Sequence, residues 1–155
     1  MDDERIDRRP ETGDRTENGE RYKFQRLQVY RLGLDHVDMV YRLTATFPKS
    51  ENLNLRSQLE RASTSVILNI AEGSTGQTDA EQARFLGLSL RSLMECVACV
   101  DVVERRRYAG TEELSAIKNL AHRLFIKLQA MRHSLKKGGG HALRRRSMVP
   151  GQPKP

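Results

Sequence analysis

The chain of 155 residues contains no tryptophan and only two cysteines, Cys96 and Cys99. Two cysteines are too few for the disulfide framework of a small secreted domain, and a reducing compartment would keep both as thiols. No stretch approaches the roughly 18 consecutive apolar residues of a membrane span, and the N-terminal region lacks the apolar segment of a signal peptide. These absences predict a cytoplasmic protein without a membrane segment.

Motifs of catalytic chemistry are also missing. The chain has no glycine-rich phosphate-binding loop, no nucleophile elbow and no Glu-x-x-His pair of the kind that di-iron bundles use. Cys96 and Cys99 form a single Cys-x-x-Cys unit inside a predicted helix, without the second pair that would complete four zinc ligands. We interpret them as packed thiols. The sequence therefore predicts a protein that is not an enzyme and that has no metal and no cofactor.

Charged side chains make up 30% of the residues and give a net charge of +7, which is unevenly distributed. Residues 1–20 hold eight acidic and four basic side chains, whereas residues 136–155 hold six basic and no acidic ones. The segment between them is basic as well. A basic body favours a polyanionic partner such as nucleic acid, although many soluble proteins are basic without binding one.

Apolar residues recur at steps of three and four positions in four segments, which is the pattern of amphipathic helices. The segments run from about Tyr22 to Thr46, from near Ser50 to Gly73, from Thr78 to about Arg107 and from Thr111 to the glycines at 138–140. Ser50 is a candidate N-cap, Thr78 and Glu81 match a capping box, and Gly73 is a candidate stop. Short connections predict an all-α fold, an antiparallel up-down-up-down four-helix bundle, in residues 21–137. We expect the acidic segment 1–20 and the basic tail 138–155 to be disordered.

Helices one and three are apolar on more than one side. In helix one the two sets are Leu27, Tyr30, Leu34, Val37 and Tyr41, and Val29, Val40, Leu43 and Phe47. An isolated bundle needs one apolar stripe per helix, so we interpret the extra width as a subunit interface. The alternative is a thicker core in a monomer.

A row of polar residues, which we call the polar row, lies beside the apolar stripe of helix two: Gln58, Arg61, Ser65, Asn69 and Glu72. One interpretation is a structural network of hydrogen bonds, either between helices or across a subunit boundary. The other is a ligand or partner site. We favour the structural interpretation, because mid-helix polar residues that flank an apolar stripe usually have structural partners.

Ten basic residues are candidate contacts to nucleic acid: Arg105, Arg106, Arg107, Lys118, Arg123, Lys127, Arg132, Arg144, Arg145 and Arg146. The run Arg105–Arg107 also has a structural explanation, because basic side chains stabilise the C-terminal end of a helix. No aromatic residues alternate with these positions, so we expect contacts to the phosphate backbone with little sequence preference.

Several short motifs carry a resemblance to a known family. They are Phe47-Pro48-Lys49, Gln58-x-x-Arg61-Ala62, Ser65, Asn69-Ile70-Ala71-Glu72-Gly73, Phe85-Leu86 and Ser92-Leu93-x-Glu95. The chain resembles the bacterial four-helix-bundle proteins encoded in intervening sequences of large-subunit ribosomal RNA genes. That family is related to the accessory variability determinant proteins of diversity-generating retroelements. The chain departs from the family pattern at Glu60, Ile67 and Arg91.

The resemblance implies a four-helix bundle that assembles as a ring, usually a pentamer. In the retroelement branch it also implies binding to a reverse transcriptase and to RNA or DNA. Together with the basic surface, this predicts a non-enzymatic homo-oligomer that binds nucleic acid as an accessory to a reverse transcriptase or an RNA-containing complex. The competing hypothesis is a protein-interaction scaffold whose basic charge has no role in nucleic-acid binding.

Overall fold

The computed structural model describes residues 20–76 and 78–146, with side chains described as far as Lys137. Four helices account for most of this part: α1 Gln28–Thr44, α2 Leu55–Ser74, α3 Asp79–Arg106 and α4 Thr111–Arg146. Short 3-10 helices, Lys23–Arg26 and Lys49–Glu51, precede α1 and α2. The sequence predicts disorder at residues 1–20 and 138–155; residues 1–19 and 147–155 lie outside the described residues, and residues 138–146 form the last turns of α4.

The helices form the up-down-up-down bundle that the sequence predicts. Helix α1 packs against α2 and α4, and α3 packs against the same two helices, so each helix contacts both of its neighbours. The described residues contain no strand. The predicted all-α fold is confirmed, and within the described part no helix is both long and apolar enough to cross a membrane.

The core consists of two apolar clusters, one toward each end of the bundle. The first cluster lies where α1 ends and α2 begins, and it contains Val40, Leu43, Phe47, Leu55, Leu59, Ala62, Cys96, Cys99, Val100, Val103, Leu114 and Ile117. The second lies at the other end and contains Val29, Leu32, Val66, Ile70, Leu86, Leu90, Leu93, Ala121, Leu124 and Leu128. Burial of these side chains supplies the main driving force for folding.

Buried polar side chains lie near the boundary between the two clusters. Ser63 Oγ donates a hydrogen bond to the carbonyl of Glu60, and Ser89 Oγ donates one across the helix contact to the carbonyl of Val66, at 2.9 and 3.0 Å. His36 is only 1% exposed, and its Nδ1 atom has no hydrogen-bond partner among the described residues. Burial without a compensating partner lowers the pKa of His36 to about 4.

Two glycines allow close contact between helices. A Cβ atom at Gly73 would lie 2.7 Å from the Cβ of Phe85 on α3, and one at Gly33 on α1 would lie 2.7 Å from Cγ2 of Ile67 on α2. The sequence predicts that Gly73 stops α2. In the structure α2 continues to Ser74, and the glycine is buried within the helix. Its role is to let α2 and α3 approach each other.

The helix ends differ from the sequence prediction at three further places. Helix α1 begins at Gln28, after the 3-10 helix Lys23–Arg26, and not near Tyr22. Ser50 does not cap α2: it lies inside the 3-10 helix that follows Pro48, and α2 begins at Leu55 after Asn54. Helix α4 runs to Arg146 and does not end at the glycines at 138–140. Glycine costs a helix about 1 kcal/mol per residue but creates no steric block, so a helix that is already formed can continue through it. At α3, Thr78 Oγ1 accepts a hydrogen bond from the amide of Glu81 at 3.1 Å, as the capping box predicts.

One tyrosine joins the two connections at the first-cluster end. The Tyr108 ring packs against Phe47, with centroids 5.9 Å apart, and its hydroxyl donates to Glu51 Oε1 at 3.1 Å. Arg106 Nε donates to the same hydroxyl at 3.2 Å. Between them, Arg107 has φ 57°, the left-handed conformation that ends α3 and turns the chain toward α4. The α1–α2 and α3–α4 connections are thus held together.

We predict that stability falls with acidification through the titration of His36. Its pKa is about 4 in the folded protein and 6.5 in the unfolded chain, so the unfolded chain binds the proton first. The contribution is fully present above pH 6.5, is lost as the pH falls toward 4, and amounts to about 3 kcal/mol.

Urea denaturation of the wild type and of His36→Leu between pH 4 and pH 7 measures this loss. The leucine variant should lack the part of the pH dependence that His36 supplies. Parallel stability curves for the two proteins over this range would contradict the assignment.

Candidate functional site

Seven of the ten predicted nucleic-acid contacts have described side chains, and these lie at the end of α3 and along α4. Arg105 and Arg107 are exposed at the end of α3, where they line a depression with Asp101 and Glu104. Lys118 on α4 is also close to these carboxylates, with its Nζ 2.7 Å from Glu104 Oε2 and 2.9 Å from Asp101 Oδ1. Hydrogen bonds to Glu104 and Asp101 raise the pKa of Lys118, so its charge is largely satisfied within the protein.

The other predicted contacts are distributed along the chain. The Arg106 guanidinium lies 5.6 Å from the Tyr108 ring centroid and is part of the tyrosine contact described above. On α4, Arg123 is exposed, and Lys127 and Arg132 are half-buried. Arg144, Arg145 and Arg146 lie in the last turns of α4, beyond the described side chains.

A groove between α3 and α4, which we call the α3–α4 groove, is a surface concavity with a volume of about 1150 Å³. It exists because α3 has small residues on this side: Ala80, Ala83 and Gly87 follow one another at steps of three and four positions. Leu88, Leu90, Met94 and Leu135 add apolar surface to its lining. The groove lies at the second-cluster end of the bundle.

Four basic side chains line the α3–α4 groove, and no aspartate or glutamate is among its lining residues. They are Arg84 and Arg91 on α3 and Arg132 and Lys136 on α4. Arg132 Nε donates to the Ala83 carbonyl at 3.2 Å, and a Cβ at Gly87 would lie 3.3 Å from this guanidinium. The glycine thus makes room for Arg132, which is held in place against α3.

Only Arg132 of the four groove cations is among the ten contacts predicted from the sequence. Arg84 and Arg91 are seven positions apart and therefore lie on one side of α3, while Lys136 follows Arg132 by four positions on α4. The row of small residues Ala80, Ala83 and Gly87, which runs beside Arg84, was the available signal. This row of small residues does not identify the groove unless the helix that packs beside α3 is known.

Two members of the polar row, Gln58 and Ser65, connect α2 to α3. Gln58 Nε2 donates to Glu95 Oε1 on α3, and Arg61 Nη2 donates to Gln58 Oε1 at 2.9 Å. The hydroxyls of Ser65 and Ser92 are 2.9 Å apart.

Within α2, Asn69 Nδ2 donates to the Ser65 carbonyl and hydroxyl at 2.8 and 3.1 Å, and Glu72 lies exposed at the end of the helix. Two contacts of the polar row therefore join α2 to α3 and three lie within α2, and the structural role of the row stays a prediction.

The two cysteines are buried within the core. Burial, together with the neighbouring Cys99 and Glu95, raises the pKa of the Cys96 thiol to about 12, and burial also raises the pKa of Cys99. Both are therefore protonated and unreactive near neutral pH. Among residues 20–76 and 78–146, no three His, Cys, Asp or Glu side chains lie close enough together to hold a metal ion.

A second surface feature, which we call the outer stripe, follows the outer side of α1 beside α2. Tyr30, Leu34, Val37 and Tyr41 recur along α1, and Leu34 and Tyr41 remain 39% and 47% exposed. Leu68 on α2 is 53% exposed, and the Tyr41 hydroxyl lies 3.5 Å from Thr64 Oγ1 on the same helix. One of the two predicted apolar sets of α1 is therefore partly at the surface, since Leu34 and Tyr41 are exposed while Leu27 and Tyr30 pack against the second cluster. The other set lies in the core.

The fold and the groove together define a small all-α bundle protein with a basic surface concavity. The family model described as 23S rRNA-intervening sequence protein matches residues 25–130, and the chain belongs to that family. The resemblance to the proteins encoded in intervening sequences of ribosomal RNA genes is thereby confirmed. No curated protein matches the sequence.

A solved structure supports the same fold. It is a protein with unknown function from the S23 ribosomal protein family of Bacteroides thetaiotaomicron, similar with a TM-score of 0.63 over 68% of this chain and 95% of that chain. The two sequences are 20% identical, so this likeness shows the fold alone.

We predict that Asn69→Leu destabilises the bundle by about 1 kcal/mol, because the amide that orients Ser65 toward Ser92 is lost. Urea denaturation measures the free energy of unfolding, and Ser57→Ala, at an exposed position of the same helix, is the control. A variant as stable as the wild type would show that this part of the polar row does not stabilise the fold.

Proposed function

We propose that this protein binds the phosphate backbone of RNA as a non-enzymatic homo-oligomer, and that the α3–α4 groove is the centre of the contact. The supporting observation is the lining of the groove, which has four basic side chains and no carboxylate. Phosphate contacts of this kind give affinity with little sequence preference. The printed name of the family, 23S rRNA-intervening sequence protein, agrees with an RNA partner.

The ten predicted contacts differ in how available they are to a phosphate group. Lys118 is already paired with Asp101 and Glu104, so a phosphate would have to compete with two carboxylates for it. Arg132 lies in the groove, and Arg123 is exposed on α4. We therefore assign the main contact to the groove cations and a supporting role to Arg123, Lys127 and the arginines at 105–107 and 144–146.

The oligomer is the second part of the proposal. The outer stripe exposes large apolar side chains in neighbouring positions of α1 and α2, and such patches favour association. A closed ring, five subunits by the resemblance noted above, repeats each groove around the ring, so weak phosphate contacts add up. We propose that the ring serves as an accessory subunit of a reverse transcriptase or another RNA-containing complex.

The outer stripe also favours a second candidate function, a protein-interaction scaffold without nucleic-acid binding. The two functions differ in their response to salt. Phosphate contacts weaken steeply as salt is added, because counterions are released on binding, whereas contacts between apolar surfaces do not.

We predict that Arg84→Gln combined with Arg91→Gln weakens RNA binding. The fall of log K with log[salt] should become shallower, its slope smaller in magnitude by about 1.5, because two phosphate contacts are lost. Fluorescence anisotropy with a labelled single-stranded RNA at several salt concentrations measures both quantities. DNA of the same sequence tests whether the sugar matters.

The matched control is Lys23→Gln combined with Arg42→Gln, which removes two exposed charges outside the groove. This control should change the slope much less. Equal slopes for the two double variants would place the contact elsewhere, and no binding at low salt would leave the scaffold function.

We predict that Leu68→Glu lowers the oligomeric mass, because a charge in the middle of the outer stripe opposes the burial of apolar surface. Light scattering after size-exclusion chromatography measures the mass. Ile126→Glu is the matched control, because Ile126 is 52% exposed on the outer side of α4 and Leu68 is 53% exposed. An unchanged mass for Leu68→Glu would exclude the outer stripe as the interface.

A further inference from the structure

The α3–α4 groove has a feature that backbone contacts to RNA do not require. Beside its four basic side chains it contains apolar surface, including Leu88 and Met94, and Met94 is 43% exposed. Phosphate contacts use only the cations. A ligand that fills the whole groove would combine several carboxylates or phosphates with an apolar side chain.

One segment of this chain has that composition. Residues 2–7 read Asp-Asp-Glu-Arg-Ile-Asp, so four carboxylates accompany Ile6 within six residues. With Arg5 counted, the segment has a net negative charge, opposite in sign to the four basic side chains that line the groove. Charge complementarity of this kind favours association and is screened by salt.

The segment is also long enough to reach the groove. The described chain begins at Glu20, which is paired with Arg31 at 2.6 Å. Leu27 and Tyr30 pack against the second apolar cluster, which is at the same end of the bundle as the groove. Thirteen residues from Asp7 to Glu20 span up to about 43 Å when extended, and the groove runs about 21 Å along α3 from Ala80 to Met94.

We propose that the acidic segment Asp2–Asp7 docks in the α3–α4 groove, with its carboxylates on the groove cations and Ile6 on the apolar surface. Because the segment is tethered, its effective concentration at the groove is high, in the millimolar range for a short flexible connection. The docked segment excludes a polyanion from the groove. The docking stands on its own, and only this competition rests on the proposed RNA binding.

Carbodiimide cross-linking of the full chain tests the docking, because the reagent joins a lysine amine to a carboxylate in contact with it. Lys136 is the only lysine among the residues that line the groove, and the exposed Lys49 at the other end of the bundle is the internal control. We expect mass spectrometry to find Lys136 joined to the carboxylates of residues 2–7. The yield should fall several-fold in 1 M salt and in Arg84→Gln with Arg91→Gln, which leaves Lys136 intact.

Cross-links spread evenly over Lys23, Lys49 and Lys136 would overturn the proposal. A Lys136 cross-link that persists unchanged in the arginine variant would overturn it too, because the groove cations would then have no part in the docking.

RNA affinity tests the competition separately. A full chain with Asp2→Asn, Asp3→Asn, Glu4→Gln and Asp7→Asn should bind RNA about fivefold more tightly than a control with Asp35→Asn, Asp38→Asn, Glu112→Gln and Glu113→Gln, although both variants gain the same charge. Equal affinities together with the specific cross-links would support the docking and overturn the groove as the RNA site. No RNA binding by any variant would overturn the proposed function, while the cross-links would still decide the docking.

Discussion

The close contact between α2 and α3 is the constraint on which the rest of the bundle depends. Gly73 leaves no space for a Cβ beside Phe85, and the Ser89 hydroxyl reaches the Val66 carbonyl on the facing helix. Ser65 and Ser92 add a hydrogen bond between the same helices. Because helix packing fixes the rotation of α3, its row of small residues faces α4, and the groove forms there.

The two surface features occupy different helix pairs. The outer stripe belongs to α1 and α2, whereas the groove belongs to α3 and α4, so the proposed subunit contact and the proposed RNA contact do not compete for one surface. The α1–α2 boundary also contains polar contacts that stay within the bundle. Glu60, which departs from the family pattern, accepts hydrogen bonds from Thr44 at 2.6 Å and from Arg56 at 2.9 Å, so its charge is used within the subunit.

The sequence predicts the helices well, because each has a strong apolar period and recognisable turn residues. It predicts the site less well, because local signals have several meanings. In the sequence Gly73 is a candidate helix stop. In the structure its role is to leave space for Phe85, which lies on another helix. Lys118 reads as an exposed cation, but Asp101 and Glu104 become its partners only when α3 packs beside α4. The groove depends on the same long-range packing, which the order of residues does not specify locally.

The tyrosine contact makes the two ends of the bundle mechanically unequal. Tyr108 joins the α1–α2 connection to the α3–α4 turn through Phe47 and Glu51, whereas the groove leaves the other end of the α3–α4 contact partly open. Local opening of a folded protein begins where few contacts must break. Amide hydrogen exchange should therefore be fastest at the groove end and slower toward the end that contains Tyr108. The helices that form the α3–α4 groove would then be the first to open.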